Sequence, residues 1–178
     1  MTSQLVLSFI EHGDKAEQHI VSRCQLFDQL ISESRAIHDR LNQYLRHNPQ
    51  DRPVIHSPQS AYQIIQPFLE NLDHEEFWVC VLDQRNRVVR IVALYRGTVN
   101  CAHVRVSEIF RIPIIENAPS IILFHNHPSG DPTPSPEDIT LTRTVREAGK
   151  LLDIEVIDHI VIGSSGNYVS LKERGLGF

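Results

Sequence analysis

The amino-acid sequence predicts an α/β domain of the α+β kind, in which helices flank one mixed β-sheet and a long helix precedes it. Two apolar, β-branched runs at residues 77–83 and 87–95 are separated only by a short polar turn, which is typical of a hairpin. A third apolar run, at 120–124, is continuous, as in a central strand. The patterns of a helix and two further strands follow it, so we expect a mixed sheet.

Residues 14–47 form the predicted N-terminal helix, because the run contains neither glycine nor proline and its apolar residues recur at heptad spacing. Two interpretations stay open: an amphipathic helix that packs on the domain behind it, or a helix that pairs with a second copy in a homodimer. We place the helical extension at residues 1–50 and the domain with the mixed sheet at 51–178. The heptad positions hold Ile20, Phe27 and Leu41 in one set and Leu30, Ile37 and Tyr44 in the other.

The remaining elements follow from local signals. Ser57 is expected to cap the next helix, with Pro58 at its first position. Ser107 is expected to cap a short helix after the hairpin. A longer helix is predicted from Pro136 to about residue 152, and the apolar segments that follow it are the last two strands.

Composition limits the classes of protein to which the chain can belong. No apolar run approaches the roughly 18 residues that cross a bilayer, and the N-terminal residues lack the features of a signal peptide. The three cysteines are widely spaced, which is typical of reduced thiols, so we expect a cytoplasmic protein. The net charge of -5 and the scattered basic residues disfavour nucleic acid as the main partner.

The most informative stretch is SIILFHNHPSGDPTPSPED, which begins at the third apolar run. His125 and His127 lie two positions apart at the end of a strand, so both rings point to the same side of the sheet. Pro128 keeps His127 extended, and the proline-rich loop returns the chain towards the strand end. Asp138 can then supply a third ligand and leave one position open for water, as in a catalytic zinc site.

Other interpretations compete with metal binding. The letters SPED also form a capping box, in which Ser135 is the N-cap of a helix and Asp138 its third residue. His159 lies in a predicted strand and is either a hydrogen-bonded core histidine or a partner that orients a metal ligand. Two histidines and a carboxylate also bind ferrous iron in oxygenases, although the mixed α/β pattern disfavours that chemistry.

The same stretch resembles a known family. HNHPSGDPTPSPED is similar to the bacterial RadC family, a branch of the JAB/MPN (JAMM) metallopeptidases, whose pattern is His-x-His-Pro followed by Ser-x-x-Asp. The segments EEFWVCVLD, RNRVV and DHIVIG look like RadC segments too, so the likeness covers about residues 57–171. The resemblance implies a JAB/MPN-like fold and one zinc ion per chain, held by His125, His127 and Asp138.

The resemblance also implies catalytic roles. The family uses a glutamate just before its first core strand as general acid/base, and Glu76 matches that place, with Glu75 as the alternative if the register differs by one. The family's serine falls on Ser135, whose hydroxyl would stabilise the oxyanion. Because zinc activates water for hydrolysis, we expect a peptidase or isopeptidase that acts on an amide bond.

Two departures from the family pattern bear on function. Asn126 separates the two histidines where deubiquitinating relatives usually have serine or threonine, which disfavours activity on ubiquitin-like tails. RadC proteins resemble helix-hairpin-helix DNA binders at their N-terminus, and residues 1–50 show no such hairpin. A metal-dependent nuclease or DNA-repair factor and a non-catalytic scaffold are the alternatives to the hydrolase.

Overall fold

The computed structural model describes residues 15–70, 72–97 and 104–178. Contacts within the chain divide it into two compact units, residues 1–41 and 42–178. The whole sheet and the candidate site lie in the second unit. The boundary predicted between residues 50 and 51 stays a prediction.

Four α-helices are present in the described ranges. A short 3-10 helix, Pro49–Asp51, follows the first of them. The four are α1 (Lys15–His47), α2 (Pro58–Leu69), α3 (Val106–Ile115) and α4 (Pro136–Leu151). None of the helices described is long and apolar enough to cross a membrane.

One mixed sheet contains all five strands of the described part of the chain, in the order β2-β1-β3-β4-β5. Antiparallel pairs join β1 to β2, β1 to β3 and β4 to β5, whereas β3 and β4 are parallel neighbours connected through α4. The predicted α+β class, the hairpin and the central position of the third strand are confirmed. The strands are β1 (Glu76–Leu82), β2 (Val88–Arg96), β3 (Ser120–Asn126), β4 (Glu155–Ile162) and β5 (Tyr168–Ser170).

The two faces of the sheet carry different helices, because successive strand residues point to opposite sides. On one face, Phe77 and its alternate neighbours on β1 pack with apolar residues of α3 and α4 in the main hydrophobic core. On the other face, Trp78 packs against Phe68 of α2, with ring centroids 5.6 Å apart. The candidate site lies on the first of these faces.

The helix starts show which capping signals are correct. Ser57 caps α2 in a capping box with Ser60, and Pro58 takes the first helical position, as predicted. The cap predicted at Ser107 is wrong, because α3 begins at Val106 and its N-cap is Arg105, whose side chain makes no capping hydrogen bond. Ser107 therefore lies inside the first turn.

Candidate metal centre

The end of β3 and the start of α4 bring three candidate ligands together. His125 pairs in register with Phe77 of β1, and the two rings stack with centroids 6.3 Å apart on the same face of the sheet. His127 follows two residues later, and Asp138 lies in the first turn of α4. The ligand atoms of the three residues all lie within 4.8 Å of one another.

The distances within the triad fit a single tetrahedral ion. His125 Nε2 lies 3.1 Å from His127 Nε2 and 3.3 Å from Asp138 Oδ1. His127 Nε2 lies 3.6 Å from Asp138 Oδ2. Ligand atoms at about 2.0–2.1 Å from a tetrahedral zinc ion are separated by about 3.3–3.4 Å, so these three side chains need little adjustment to hold one.

Backbone contacts fix the second histidine. The His127 amide donates to the Ile162 carbonyl at 2.8 Å, which extends the pairing of β3 with β4 by one residue. The ring is held from its other side, because Nδ1 lies 2.8 Å from the Asp131 carbonyl oxygen. A carbonyl can only accept, so this contact requires a hydrogen on Nδ1 and directs Nε2 towards the triad.

The loop between the histidines and α4 is anchored on the β4–β5 turn. Gly130 has a positive φ of 84°, and its carbonyl accepts a hydrogen bond from the Ser164 amide. A Cβ atom on Gly163 would lie 2.4 Å from the Gly130 carbonyl oxygen, so only glycine allows the loop to approach this closely. This contact fixes the path by which the chain returns to Asp138.

Asp138 serves the helix and the triad together. Its Oδ2 accepts hydrogen bonds from the Ser135 amide and the Ser135 hydroxyl, both at 2.8 Å, and its own amide donates to Ser135 Oγ. The predicted capping box is therefore present, while the same carboxylate faces both histidines. The Ser135 hydroxyl donates its one hydrogen to the carboxylate of Asp138 here, so its predicted oxyanion role stays a prediction.

The electrostatics of the triad favour positive charge. The Asp138 carboxylate raises the pKa of His127 above its ordinary value by hydrogen bonding, although burial of the ring acts in the opposite direction. The carbonyl of Asp131 and the charge of Glu75 raise that pKa further. Asp138 itself is only 1% exposed, so its negative charge acts where water screens little.

A second layer of buried polar groups lies behind His125. His159 of β4 is fully buried and its Nε2 lies 2.9 Å from His125 Nδ1. Thr142 of α4 contacts His159 Nδ1 at 2.6 Å. Burial lowers the pKa of His159 well below its ordinary value, and the charge on His125 lowers it further. His159 is therefore a hydrogen-bonded core histidine, and its contact with His125 leaves the second interpretation, a partner that orients a metal ligand, as a prediction.

The structure does not bring Glu76 to the triad. Its Oε2 accepts a hydrogen bond from Trp78 Nε1 at 2.8 Å, which places the carboxylate on the face of β1 opposite Phe77 and His125. Its Oε1 forms an ion pair with Arg96 at 2.9 Å and contacts His74 at the same distance. Successive side chains of a strand point to opposite faces, so Glu76 points away from Phe77 and His125. This corrects our placement of Glu76 beside the candidate ligands.

The alternation favours Glu75 instead. Glu75 lies two residues before Phe77, so the same alternation would direct its side chain towards the histidines, and its charge acts on His127. Asn126 clamps the backbone on both sides of it, because Asn126 Oδ1 accepts from the Glu76 amide at 2.7 Å and Asn126 Nδ2 donates to the His74 carbonyl at 2.9 Å. Counting alternate residues from the histidines through the paired strand would have selected Glu75, but that pairing is not readable from the sequence.

Comparisons with known proteins identify a family for this chain. The model of the family described as RadC-like JAB domain matches residues 55–176. A UPF0758 protein of Roseiflexus sp. (strain RS-1) is 52% identical over 128 residues, which cover 72% of this chain and 54% of the relative. A UPF0758 protein of Desulfitobacterium hafniense (strain DSM 10664 / DCB-2) is 46% identical over 129 residues, or 72% of this chain and 56% of the relative.

A longer match extends towards the N-terminus. A UPF0758 protein of Chloroflexus aurantiacus (strain ATCC 29366 / DSM 635 / J-10-fl) is 43% identical over 158 residues, which cover 87% of this chain and 69% of the relative. The chain spans little more than half the length of the Roseiflexus relatives that it matches. Since the family model covers most of the second unit, including all three triad residues, the chain belongs to the family of RadC-like JAB domain proteins.

Proposed function

We propose that the chain is a zinc-dependent hydrolase that cleaves amide bonds, as a peptidase or isopeptidase. The observation that carries the proposal is the convergence of two imidazole nitrogens and one carboxylate within 4.8 Å. Three protein ligands leave a position for water or substrate, whereas structural zinc sites usually have four protein ligands. The His127 side chain is 17% exposed, so the site is reachable from solvent.

The donor set supports zinc as the metal. His125 and His127 supply nitrogen, Asp138 supplies oxygen, and their separations match a tetrahedral ion. A bound zinc ion would lower the pKa of a water ligand to about 7 and polarise a substrate carbonyl. Two hydrogen bonds would hold the candidate ligands in place for this chemistry. Ser135 bonds to the Asp138 carboxylate, and the Asp131 carbonyl bonds to the His127 ring.

Glu75 is the acid/base in this proposal. Strand alternation would direct its side chain to the face of the histidines, its charge acts on His127, and the Asn126 clamp fixes the backbone on both sides of it. Its carboxylate would take a proton from the attacking water and pass it to the leaving amine nitrogen. Such proton transfer typically contributes about 100- to 10,000-fold in rate.

The test combines elemental analysis with matched variants. Protein purified without chelator is expected to contain one zinc ion per chain, and a chelator should abolish cleavage of a mixture of peptides and isopeptide-linked peptides monitored by mass spectrometry. Glu75→Gln should retain zinc and lose about 100-fold or more in rate. Glu76→Gln is the control, since its carboxylate points to the other face, and it should stay within a few-fold of wild type.

Four results would contradict the proposal in different ways. Iron in place of zinc would favour oxygenase chemistry, and chelator-sensitive cleavage of DNA without amide cleavage would favour a nuclease. Equal losses of activity in Glu75→Gln and Glu76→Gln would remove the assignment of the acid/base. Zinc binding without turnover of any substrate class would support a scaffold.

A further inference from the structure

We propose that Thr142 and His159 act as positioning residues that set the tautomer of His125, so that its Nε2 lone pair faces the metal. The inference rests on the proposed metal binding and extends it to residues that touch neither metal nor substrate. Thr142, His159 and His125 contact one another in series, and the inference follows from the number of hydrogens that this chain of polar groups can supply. Every member of that chain is at most 2% exposed, so water does not substitute for any partner.

The first link is the Thr142 hydroxyl. Its oxygen lies 2.6 Å from the backbone carbonyl oxygen of Asp138, one helical turn earlier, and 2.6 Å from His159 Nδ1. A carbonyl oxygen only accepts, so the single hydroxyl hydrogen must lie between the two oxygens. Thr142 then has no hydrogen for His159, and the hydrogen in the second contact belongs to His159 Nδ1.

The second link joins the two histidines. One hydrogen must lie between His159 Nε2 and His125 Nδ1, which are 2.9 Å apart. If it belonged to His159, that ring would carry hydrogens on both nitrogens and would be a fully buried cation between the ring of His125, with centroids 4.9 Å apart, and the ring of Phe77, with centroids 5.7 Å apart. The hydrogen therefore belongs to His125 Nδ1, and His159 is a neutral acceptor.

The consequence is a defined donor atom for the metal. With its hydrogen on Nδ1, His125 presents the Nε2 lone pair to Asp138 Oδ1 and His127 Nε2, at 3.3 and 3.1 Å. The hydroxyl of Thr142 connects this arrangement to the backbone of Asp138, so one continuous series of hydrogen bonds joins the first and third candidate ligands. Partners of this kind fix the tautomer and orientation of metal-binding histidines generally.

The experiment compares two threonines of α4. Thr142→Val removes the hydroxyl while keeping the shape, and Thr144→Val is the matched control, because the Thr144 hydroxyl also donates to a carbonyl one turn earlier but is exposed. Zinc affinity of the full chain is measured by competition with a chromogenic chelator. Thr142→Val should bind zinc about 10- to 100-fold more weakly, and Thr144→Val as tightly as wild type.

Variants of His159 separate positioning from packing. His159→Leu removes the acceptor and should weaken zinc binding by a similar factor, whereas His159→Gln offers an amide oxygen to His125 Nδ1 and should restore most of it. Nitrogen-15 NMR of zinc-loaded wild type should show hydrogens on Nδ1 of both His125 and His159, and none on their Nε2 atoms.

The outcomes distinguish this inference from the proposed function. If wild type binds no zinc, both are overturned. If wild type binds zinc but Thr142→Val equals Thr144→Val, or if NMR finds a hydrogen on His159 Nε2, only the tautomer assignment is overturned. Should His159→Leu fail to fold, the wild-type NMR spectrum and the isosteric Thr142→Val variant still decide.

Discussion

At the scale of single residues, the candidate site depends on side chains that bind two neighbours at once. Asn126 lies between the two histidines in sequence but points to the opposite face, where its amide group bonds to both the Glu76 amide and the His74 carbonyl. Asn42 makes the same kind of clamp elsewhere, with the amide and carbonyl of Ile91. Both asparagines are buried, so each clamp replaces hydrogen bonds to water that the backbone groups would otherwise make.

We expect Asn126→Ala to lower the free energy of unfolding by about 1–3 kcal/mol, because it leaves buried backbone groups without their partners. Urea denaturation measures this loss, and Asn42→Ala should show a loss of similar size. Amide hydrolysis, once a substrate is found, should fall in Asn126→Ala alone, since only that clamp holds the backbone beside Glu75. Asn126→Ala with wild-type stability, or equal activity in both variants, would contradict the interpretation.

At the scale of elements, the start of α4 combines a capping box with a candidate metal ligand. Ser135 and Asp138 satisfy the first amides of the helix, and the carboxylate is thereby aimed at the histidines of β3. The start of α2 has a capping box of the same design, built from Ser57 and Ser60, with no ligand in it. Both helices therefore begin with a capping box, but only the box of α4 contains a candidate metal ligand.

Removing each cap should separate the two roles. Ser57→Ala and Ser135→Ala should each cost about 1 kcal/mol in stability, since each removes an N-cap acceptor. Only Ser135→Ala should also weaken zinc binding, by about 10- to 100-fold, because it releases the Asp138 carboxylate from its orienting hydrogen bond. Thermal unfolding without metal measures the first effect and chelator competition the second. Equal zinc affinity in the two variants would show that Ser135 acts on the helix alone.

At the scale of the whole molecule, α1 exposes large apolar side chains to solvent. Ile37 and Tyr44 lie one heptad apart on α1, and their exposed fractions are 58% and 49%. Leu26 on the same helix is 57% exposed. Apolar residues at heptad spacing on an exposed surface support the proposed homodimer through this helix.

Sedimentation velocity tests that proposal on the full chain. A homodimer should sediment with twice the 20.4 kDa mass of one chain. Ile37→Glu should shift it towards the monomer, because a charge would be buried in the apolar seam. Gln43→Glu adds the same charge at an exposed position of α1 and should leave the mass unchanged. A wild-type chain that sediments as a monomer at micromolar concentration would exclude the homodimer.

The strands, most helix boundaries and the three residues of the candidate metal triad could be predicted from the sequence alone. Period-two and continuous apolar runs, the cap at Ser57 and the box at Ser135 are local signals, and local signals are readable along the chain. The spacing of His125 and His127 places both on one face for the same reason. The cap expected at Ser107 was wrong because the helix begins one residue earlier, at Val106, with Arg105 as its N-cap, and a serine near a helix start does not by itself fix the first residue.

The tertiary structure was needed to show which glutamate faces the triad and which residues contact His125, because both depend on pairing between segments far apart in the chain. The register of β1 against β3 sets which glutamate faces the triad, and a shift of one residue exchanges Glu75 for Glu76 because side chains alternate across a strand. The contacts among His125, His159 and Thr142 depend on the parallel pairing of β3 with β4 and on the packing of α4 against that sheet. Such contacts join residues far apart in the chain, so no local pattern records them.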